Sequence, residues 1–376
     1  MKDELQALQR IARLTPVAHV LDRIAALVTP MPPRDIAVAE AAGRELAADV
    51  TALHDLPMTA IVLRDGYAVA SETTADAGGY TPILLPAVHR VAAGDPLPPG
   101  TDAVAMPDAV ALQGDRLEIQ AQITPGEGVL PPQGDVRAGT VLLKAGARLR
   151  AIDVAVLSVA GIERVPIRAP RILLLRATAN ADPVLEAASA MIARVIAADG
   201  AEIMRADEAA RNDLTTHMEH PDADAIVVIG GSGSGTSDRS VHTLARVGRV
   251  EAHGIAIAPG ETAAFGLIGS RPVLILPGRI DAALAIWLVL GRPMLAKLGR
   301  SAVPEPTFTA RLTRKLASNL GLTEVVPVRM QPSGAEPIAS GYLPLSSLAQ
   351  ADGWILIAAD SEGYPPGVEV VIKAWP

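Results

Sequence analysis

The chain has 376 residues, 49% of them hydrophobic but only 2% aromatic, with a formal net charge of −8 and no cysteine. One core seldom grows past roughly 250–300 residues, so two to four domains are expected, packed mainly from Ala, Val, Leu and Ile. The missing cysteines exclude disulfides, thiolate metal sites and a cysteine nucleophile, and the acidic balance argues against nucleic acid as a partner.

Val17, Val20, Leu21, Ile24 and Leu27-Val28 fall at helical spacing and are closed by Pro30 and Pro32-Pro33, which predicts a helix over 16–29. A second short helix is expected from Ala37 to Leu46. From Thr51 to about Asp135, Pro and Gly punctuate short β-rich runs at Ala68–Ala70, Thr81–Leu85, Val88–Val91 and Leu117–Ile119, the mark of a small β module. Thr140–Leu143, a turn at Lys144-Ala145-Gly146 and an apolar helix over Ile152–Ala160 follow.

From Arg168 strands and helices alternate. Expected are strand Ile172–Leu175, helix Pro183–Ala198, strand Glu202–Arg205, helix Glu208–Glu219, strand Ala225–Ile229, a glycine-rich loop and a helix through Ala245. Strand Val273–Leu276, Pro277-Gly278 and helix Asp281–Leu290 complete a doubly wound α/β sheet, whose ligands bind outside the carboxyl ends of the strands. The apolar run Ala282–Gly291 is shorter than the roughly 20 residues a bilayer requires and reads as a buried helix. Met1-Lys2-Asp3-Glu4 lacks a signal peptide's apolar core, so a cytoplasmic chain without a membrane partner is expected. Beyond Pro304 and Pro306, the strands Phe308–Arg311, Val325–Arg329, Trp354–Ile357 and Val368–Ile372 suit a small barrel.

The loop Gly230-Gly231-Ser232-Gly233-Ser234-Gly235 follows an apolar strand and precedes a helix. That order presents backbone N–H groups and a helix N-terminus to an anion, so a phosphorylated ligand is expected. The spacing matches neither a Walker motif, since no Lys follows, nor a dinucleotide fingerprint. By topology Ala258-Pro259-Gly260-Glu261 and Pro277-Gly278-Arg279 fall at the same sheet edge. Ser232, Ser234 and Thr236 are either donors to the ligand or loop-solvating groups. Asp238 either holds a metal or a ligand hydroxyl, or else Ser237 or Asp238 simply caps the next helix. His217-Met218-Glu219-His220 sets two His at i and i+3, better suited to a helix C-terminus than to a metal lacking a third ligand.

Taken in order, several segments resemble the MoeA family of molybdopterin molybdenumtransferases, which includes the gephyrin E domain. Asp65-Gly66-Tyr67-Ala68-Val69 looks like S-A-M-D-G-Y-A-V, Pro98-Pro99-Gly100-Thr101-Asp102-Ala103-Val104 is similar to P-x-G-A-D-A-V, and Gly134-Asp135-Val136 opens a stretch like G-x-D-I-x-x-G-x-x-L. The glycine loop resembles G-G-V-S-V-G, Pro259-Gly260 and Pro277-Gly278 resemble P-G-K-P and P-G-N-P, and Thr323-Glu324-Val325-Val326 fits the tail. The resemblance implies four domains: an N-terminal linker domain (1–50 with 136–167), a small β-rich module (51–135), a molybdopterin-binding α/β domain (168–300) and a C-terminal β-barrel (301–376). It further implies a homodimer with its site shared between subunits. There adenylylated molybdopterin and molybdate react with Mg2+, releasing AMP and the finished cofactor, which a molybdoenzyme client would receive. Asp65, Asp135 and Asp238 take the catalytic acidic positions, with Asp65 and Asp238 on the metal. Gly230, Gly231, Ser232, Gly233, Ser234, Gly235, Ser237, Pro259, Gly260, Pro277 and Gly278 take the molybdopterin-binding positions.

The chain also departs from the pattern. Val62 and Arg64 replace Ser and Met before Asp65, Ala93 replaces a Thr, and Ala177-Thr178-Ala179-Asn180-Ala181 replaces an acidic T-G-D-E-L. Ala258 and Glu261 replace two lysines, and Arg279-Ile280 replaces Asn-Pro. A Lys-to-Glu exchange alters local charge by two units, and at an effective dielectric near 20 each close charge is worth on the order of 4 kcal/mol at 4 Å. Three readings compete: a transferase with a degenerate oxyanion site in which Arg64 or Arg279 compensates, a non-catalytic carrier of molybdopterin or the finished cofactor, and a scaffold that keeps the dimer but not the ligand. The retained glycine loop and Asp65, Asp135 and Asp238 count against the third.

Overall fold

The computed structural model describes residues 11–86, 89–114, 116–177, 182–205, 214–218, 222–235, 238–300 and 305–376. The chain divides into two compact units, one running through Arg34 and resuming over Arg168–Pro376, the other formed by Asp35–Ile167.

The first unit is built on a six-stranded sheet. Its strands are β1 (Arg171–Arg176), β2 (Glu202–Arg205), β3 (Ala225–Ile229), β4 (Arg249–His253), β5 (Ala264–Ile268) and β6 (Arg271–Leu276), in the spatial order 2-1-3-6-5-4. β2, β1, β3 and β6 run parallel, whereas β5 and β4 add antiparallel. β3 is buried at all five positions because both faces are covered, and its near-continuous Ile/Val run is what such a strand requires. Alternate residues serve opposite faces. Ile172, Leu174, Val227, Ile229, Leu274 and Leu276 meet one core, while Leu173, Leu175, Ile226, Val228, Val273 and Ile275 meet the other. The first core is closed by helix α1 (Pro183–Ala198), by Val17, Val20 and Ile24 of the helix Val17–Leu27, and by the helix from Ile280 to Gly299. Helix α2 (Ser240–Val247) supplies Val241 and Leu244 to the second. This is the expected doubly wound arrangement.

The helix after Pro277-Gly278 is longer than predicted. It continues through Gly291-Arg292-Pro293 to Gly299, with a π-helical turn over Trp287–Gly291. Proline lacks an N–H and crowds the carbonyl four residues back, and the wider turn just before Pro293 absorbs both effects. Gly291 is required there, since a Cβ would run into the Trp287 ring. The 20-residue helix is long and apolar enough to cross a membrane, yet 78% of its most apolar window is buried inside the fold. Asp199, just past α1, ties it down. The carboxylate accepts from Trp287 Nε1 at 2.8 Å and from Arg292 Nε and Nη2 at 3.0 and 3.1 Å.

The C-terminal strands Thr307–Arg311, Thr323–Gln331, Gly334–Pro337, Gly353–Ile357 and Glu369–Ala374 form a small barrel. A bridge between Leu312 and Ala335 closes it, around a core that includes Leu316, Val326, Val328, Ile355, Val370 and Ile372. One further strand pairs onto it: Ile257–Ala258, from the loop after β4, runs parallel to Thr323-Glu324.

In the second unit, Gly66–Val69 pairs between His89–Val91 and Ala103–Ala105, and Arg116–Ile119 pairs between Ile83–Pro86 and Val110–Gln113. The helix predicted over Ala37–Leu46 is not formed. A strand over Arg34–Ala37 leads into one 3-10 turn at Val38–Glu40, and Gly43 turns the chain at φ +76°, so that Leu46 bridges to Ile167. Sheet pairing overrides a propensity that is weak over so short a run. Helix Ala151–Val159 matches its prediction, and its Asp153 carboxylate accepts from the backbone N–H and the guanidinium of Arg150.

Candidate functional site

The glycine loop leaves the carboxyl end of β3 through two left-handed residues, Gly230 (φ +90°) and Gly231 (φ +65°). A Cβ at Gly231 would lie 2.5 Å from Ser240 Oγ and 2.9 Å from Ala177 Cβ. Only glycine lets the loop pass this close to α2. The buried Ser240 stitches the two together, its Oγ donating to the Gly230 carbonyl at 2.8 Å and its N–H to the Gly231 carbonyl at 3.0 Å. Gly230 N–H donates to the Leu276 carbonyl, and Gly278 lies against it, 3.6 Å from a Cβ position to the Gly230 Cα. The Gly230 and Pro277-Gly278 turns are therefore adjacent, as sheet topology predicted.

Ser232 turns inward. It is 2% exposed, its Oγ lies 3.0 Å from Thr262 Oγ1, and its carbonyl lies 3.0 Å from His253 Nε2. Beyond it the loop opens to solvent. Among the described residues, the N–H groups of Gly233 and Ser234 have no hydrogen-bond partner, the condition for receiving an anion. Asp238 folds back over this stretch. Its Oδ2 accepts from Gly235 N–H at 2.9 Å and would lie 2.6 Å from a Cβ at Gly233. Asp238 does not cap the next helix, where Arg239 holds the N-cap position without a side-chain cap bond. Arg239 has no carboxylate partner among the described residues and adds a cation directly beside the loop. Thr236 and Ser237 lie outside the described residues, as do Glu219 and His220 of the His217-Met218-Glu219-His220 motif.

Pro259 and Gly260 are buried rather than presented to solvent. Gly260 packs against Ile286, and its N–H donates to Glu261 Oε2 at 3.1 Å. Glu261 therefore occupies the Gly260 N–H with its own carboxylate. Arg279 is engaged as well: its Nε donates to Asp281 Oδ1 at 3.1 Å, and its guanidinium stacks 4.4 Å from the Tyr342 ring centroid. Glu324, 5% exposed and across from Ala258 in the parallel bridge, accepts from Ser340 Oγ and Gly341 N–H on Oε1 alone. The turn is acidic where the family pattern is basic.

Asp65 and Asp135 belong to the second unit. Asp65 Oδ1 accepts from Ala93 N–H at 2.9 Å, just before the Gly66–Val69 strand. Asp135 is exposed, with its N–H on the Leu56 carbonyl at 3.0 Å. Arg64 is exposed too, and its only hydrogen bond among the described residues runs to Met106 Sδ. Among the described residues no group of three His, Asp or Glu side chains is assembled that could hold a metal.

Sequence reasoning missed His253, Thr262 and Ser240, together with the strands β4 and β5 that carry or flank them. Their only sequence signal is the short apolar run Ala264-Phe265-Gly266-Leu267-Ile268. His242, on α2, is also new to the site: burial, and then the nearby His253, push its pKa below the usual histidine value.

Three family descriptions match nearly the whole chain in order. They are the MoeA N-terminal region (domain I and II) over residues 15–161, a probable molybdopterin binding domain over 178–297, and the MoeA C-terminal region (domain IV) over 309–375. The fold and site thus define a multi-domain α/β protein with a molybdopterin-binding type of sheet domain. The chain belongs to the MoeA family. It is 26% identical to molybdopterin molybdenumtransferase 2 of Mycobacterium tuberculosis, over 91% of this chain and 95% of that protein. It is likewise 26% identical to the molybdopterin molybdenumtransferase of Haemophilus influenzae, over 75% and 77% respectively. The crystal structure of the molybdopterin biosynthesis MoeA protein from Pyrococcus horikoshii superposes with a TM-score of 0.71 at 26% identity, covering 97% of this chain and all of that one.

Proposed function

We propose that this chain acts in molybdenum cofactor biosynthesis, binding the phosphate of molybdopterin in the glycine loop. The observation that carries this reading is the pair of N–H groups at Gly233 and Ser234 without a hydrogen-bond partner among the described residues, beyond a buried and bonded Ser232, at the carboxyl end of β3. The reaction is that of a molybdopterin molybdenumtransferase: adenylylated molybdopterin and molybdate enter, and AMP and the molybdenum cofactor leave. Mg2+ commonly takes one or two carboxylates together with substrate phosphate oxygens, and Asp238 is suited to be such a carboxylate. Bound there, the ion would neutralise phosphate charge. Asp65 and Asp135 serve as the acidic groups supplied by the small β module, in a homodimer whose site draws on both subunits. The four-domain division stated above, a cytoplasmic location and hand-over to a molybdoenzyme client belong to the same reading.

A second reading, a carrier that binds molybdopterin without transfer, is favoured by one feature. Ala258 and Glu261 stand where the pattern has lysines, Glu261 fills the Gly260 N–H, and Arg279 is committed to Asp281 and Tyr342. A molybdate dianion finds few donors at such a turn. Titration with molybdopterin and with its adenylylated form, followed by molybdate and magnesium, separates the two: AMP release marks the transferase, and binding without release marks the carrier. Unchanged binding in Gly233→Val, with the fold intact, would refute the phosphate loop. A monomeric mass in light scattering refutes the shared site. If the mass is dimeric, Asp65→Asn is expected to weaken metal-dependent binding without altering it.

A further inference from the structure

Two places where the chain departs from its family pattern touch each other. Against G-G-V-S-V-G, Ser232 stands for the first Val; against P-G-K-P, Thr262 stands for the last Pro. Two residues without side-chain donors have become hydroxyls, and those hydroxyls meet at 3.0 Å. Ser232 is buried, and a buried hydroxyl persists only with a partner, so each replacement makes sense in the presence of the other. The second tie is His253, whose Nε2 lies 3.0 Å from the Ser232 carbonyl. A carbonyl only accepts, so Nε2 carries the proton.

The Ser232 carbonyl and the Gly233 N–H belong to one planar trans peptide and point in opposite directions. Holding the carbonyl toward His253 therefore aims the Gly233 N–H away from it, toward the open side of the loop. Glycine on the C-terminal side of this peptide would otherwise let the plane rotate. We infer that His253, together with the Ser232–Thr262 pair, forms a set of positioning residues that locks the Ser232–Gly233 peptide in its phosphate-binding orientation. All three act through the loop backbone: Ser232, which the resemblance sets among the molybdopterin-binding positions, contributes on this reading by holding its peptide in place. The inference rests on the phosphate-loop reading above.

The test measures molybdopterin affinity and thermal midpoint at one pH for Ser232→Ala, Thr262→Val, their double variant, Thr262→Ser, His253→Leu, His253→Gln and Gly233→Val. Removing one hydroxyl or the imidazole is expected to weaken binding by about 5- to 30-fold, the range for a lost buried hydrogen bond. The double variant should lose no more than either single, because the bond is shared. Thr262→Ser should stay within about twofold of wild type, and His253→Gln, which keeps an N–H donor, should recover part of the loss. A purely structural role would lower the midpoint and leave affinity untouched. The inference is overturned if His253→Leu and Thr262→Val bind at wild-type strength while Gly233→Val does not bind. If Gly233→Val also binds normally, the phosphate-loop reading itself has failed, and the positioning role falls with it.

Discussion

One methyl group placed at two positions of the glycine loop should have opposite consequences. In Gly231→Ala the new Cβ meets Ser240 Oγ at 2.5 Å and Ala177 Cβ at 2.9 Å, in a backbone at φ +65°. The left-handed conformation costs a non-glycine residue about 1–2 kcal/mol, and overpacking adds about 1–3 kcal/mol, together about 2–5 kcal/mol. For a unit of this size each kcal/mol moves the midpoint by about 2–4 °C, so a fall of roughly 4–20 °C is expected. In Gly233→Ala no positive φ is involved, and the obstruction is the Asp238 carboxylate at 2.6 Å, the end of a side chain that can rotate away. The cost is one hydrogen bond from Gly235 N–H, about 0.5–1.5 kcal/mol, with a correspondingly small change in midpoint. Binding should behave differently, because displacing Asp238 disturbs the open part of the loop that is proposed to take the phosphate. A loss of about tenfold or more in molybdopterin affinity is expected for a well-folded Gly233→Ala. Differential scanning calorimetry paired with a binding titration reads both quantities. Equal falls in midpoint for the two variants would refute the reasoning, as would a Gly231→Ala protein as stable as wild type.

Asp199→Ala should destabilise the sheet unit by about 3 kcal/mol, since it leaves the largely buried Arg292 guanidinium with Glu305 alone and strands the buried Trp287 N–H. Asp199→Asn, which keeps an acceptor, should lose less in a urea titration. The Arg150 side chain first, and its backbone N–H second, hold the Asp153 pKa down to about 2 from 3.8. That carboxylate therefore contributes stability above about pH 4 that fades as the pH falls toward 2. The gap in urea midpoint between wild type and Asp153→Asn should narrow over that interval, and a constant gap would count against the assignment. His242 has a lowered pKa, so stability due to its neutral form is present above pH 6.5 and declines as the pH falls through the folded value. His242→Gln should flatten the acid side of the thermal-stability profile near neutrality, and a profile identical to wild type would rule the effect out.

What the sequence by itself determined was everything carried by local periodicity and by turn chemistry. Helix Pro183–Ala198 and strands Glu202–Arg205 and Ala225–Ile229 match their predicted bounds, because long helical periodicity and a fully buried β-branched run each have few alternatives. The glycine loop, the doubly wound sheet and the family were legible for the same reason. Prediction failed where the deciding partner is distant in the chain. Residues 37–46 have modest helical propensity but are drawn into pairing with Ile167. The run ending near Leu290 was expected to stop before Pro293, until a π turn let the helix carry on. β4 and β5 carry little periodic signal and exist as strands because β6 offers an edge to β5, and β5 in turn to β4.

The same division holds at the site. Gly230–Gly235 and Asp238 are visible as a motif, whereas His253, Thr262 and Ser240 enter through hydrogen bonds that only the packed sheet, turn and helix create. That Arg279 is committed to Asp281 and Tyr342, and that Glu261 folds onto its own turn, likewise depended on tertiary contact. A sequence states which charges a chain owns. Whether a charge is available to a ligand is decided by which neighbours the fold brings within hydrogen-bond reach of it.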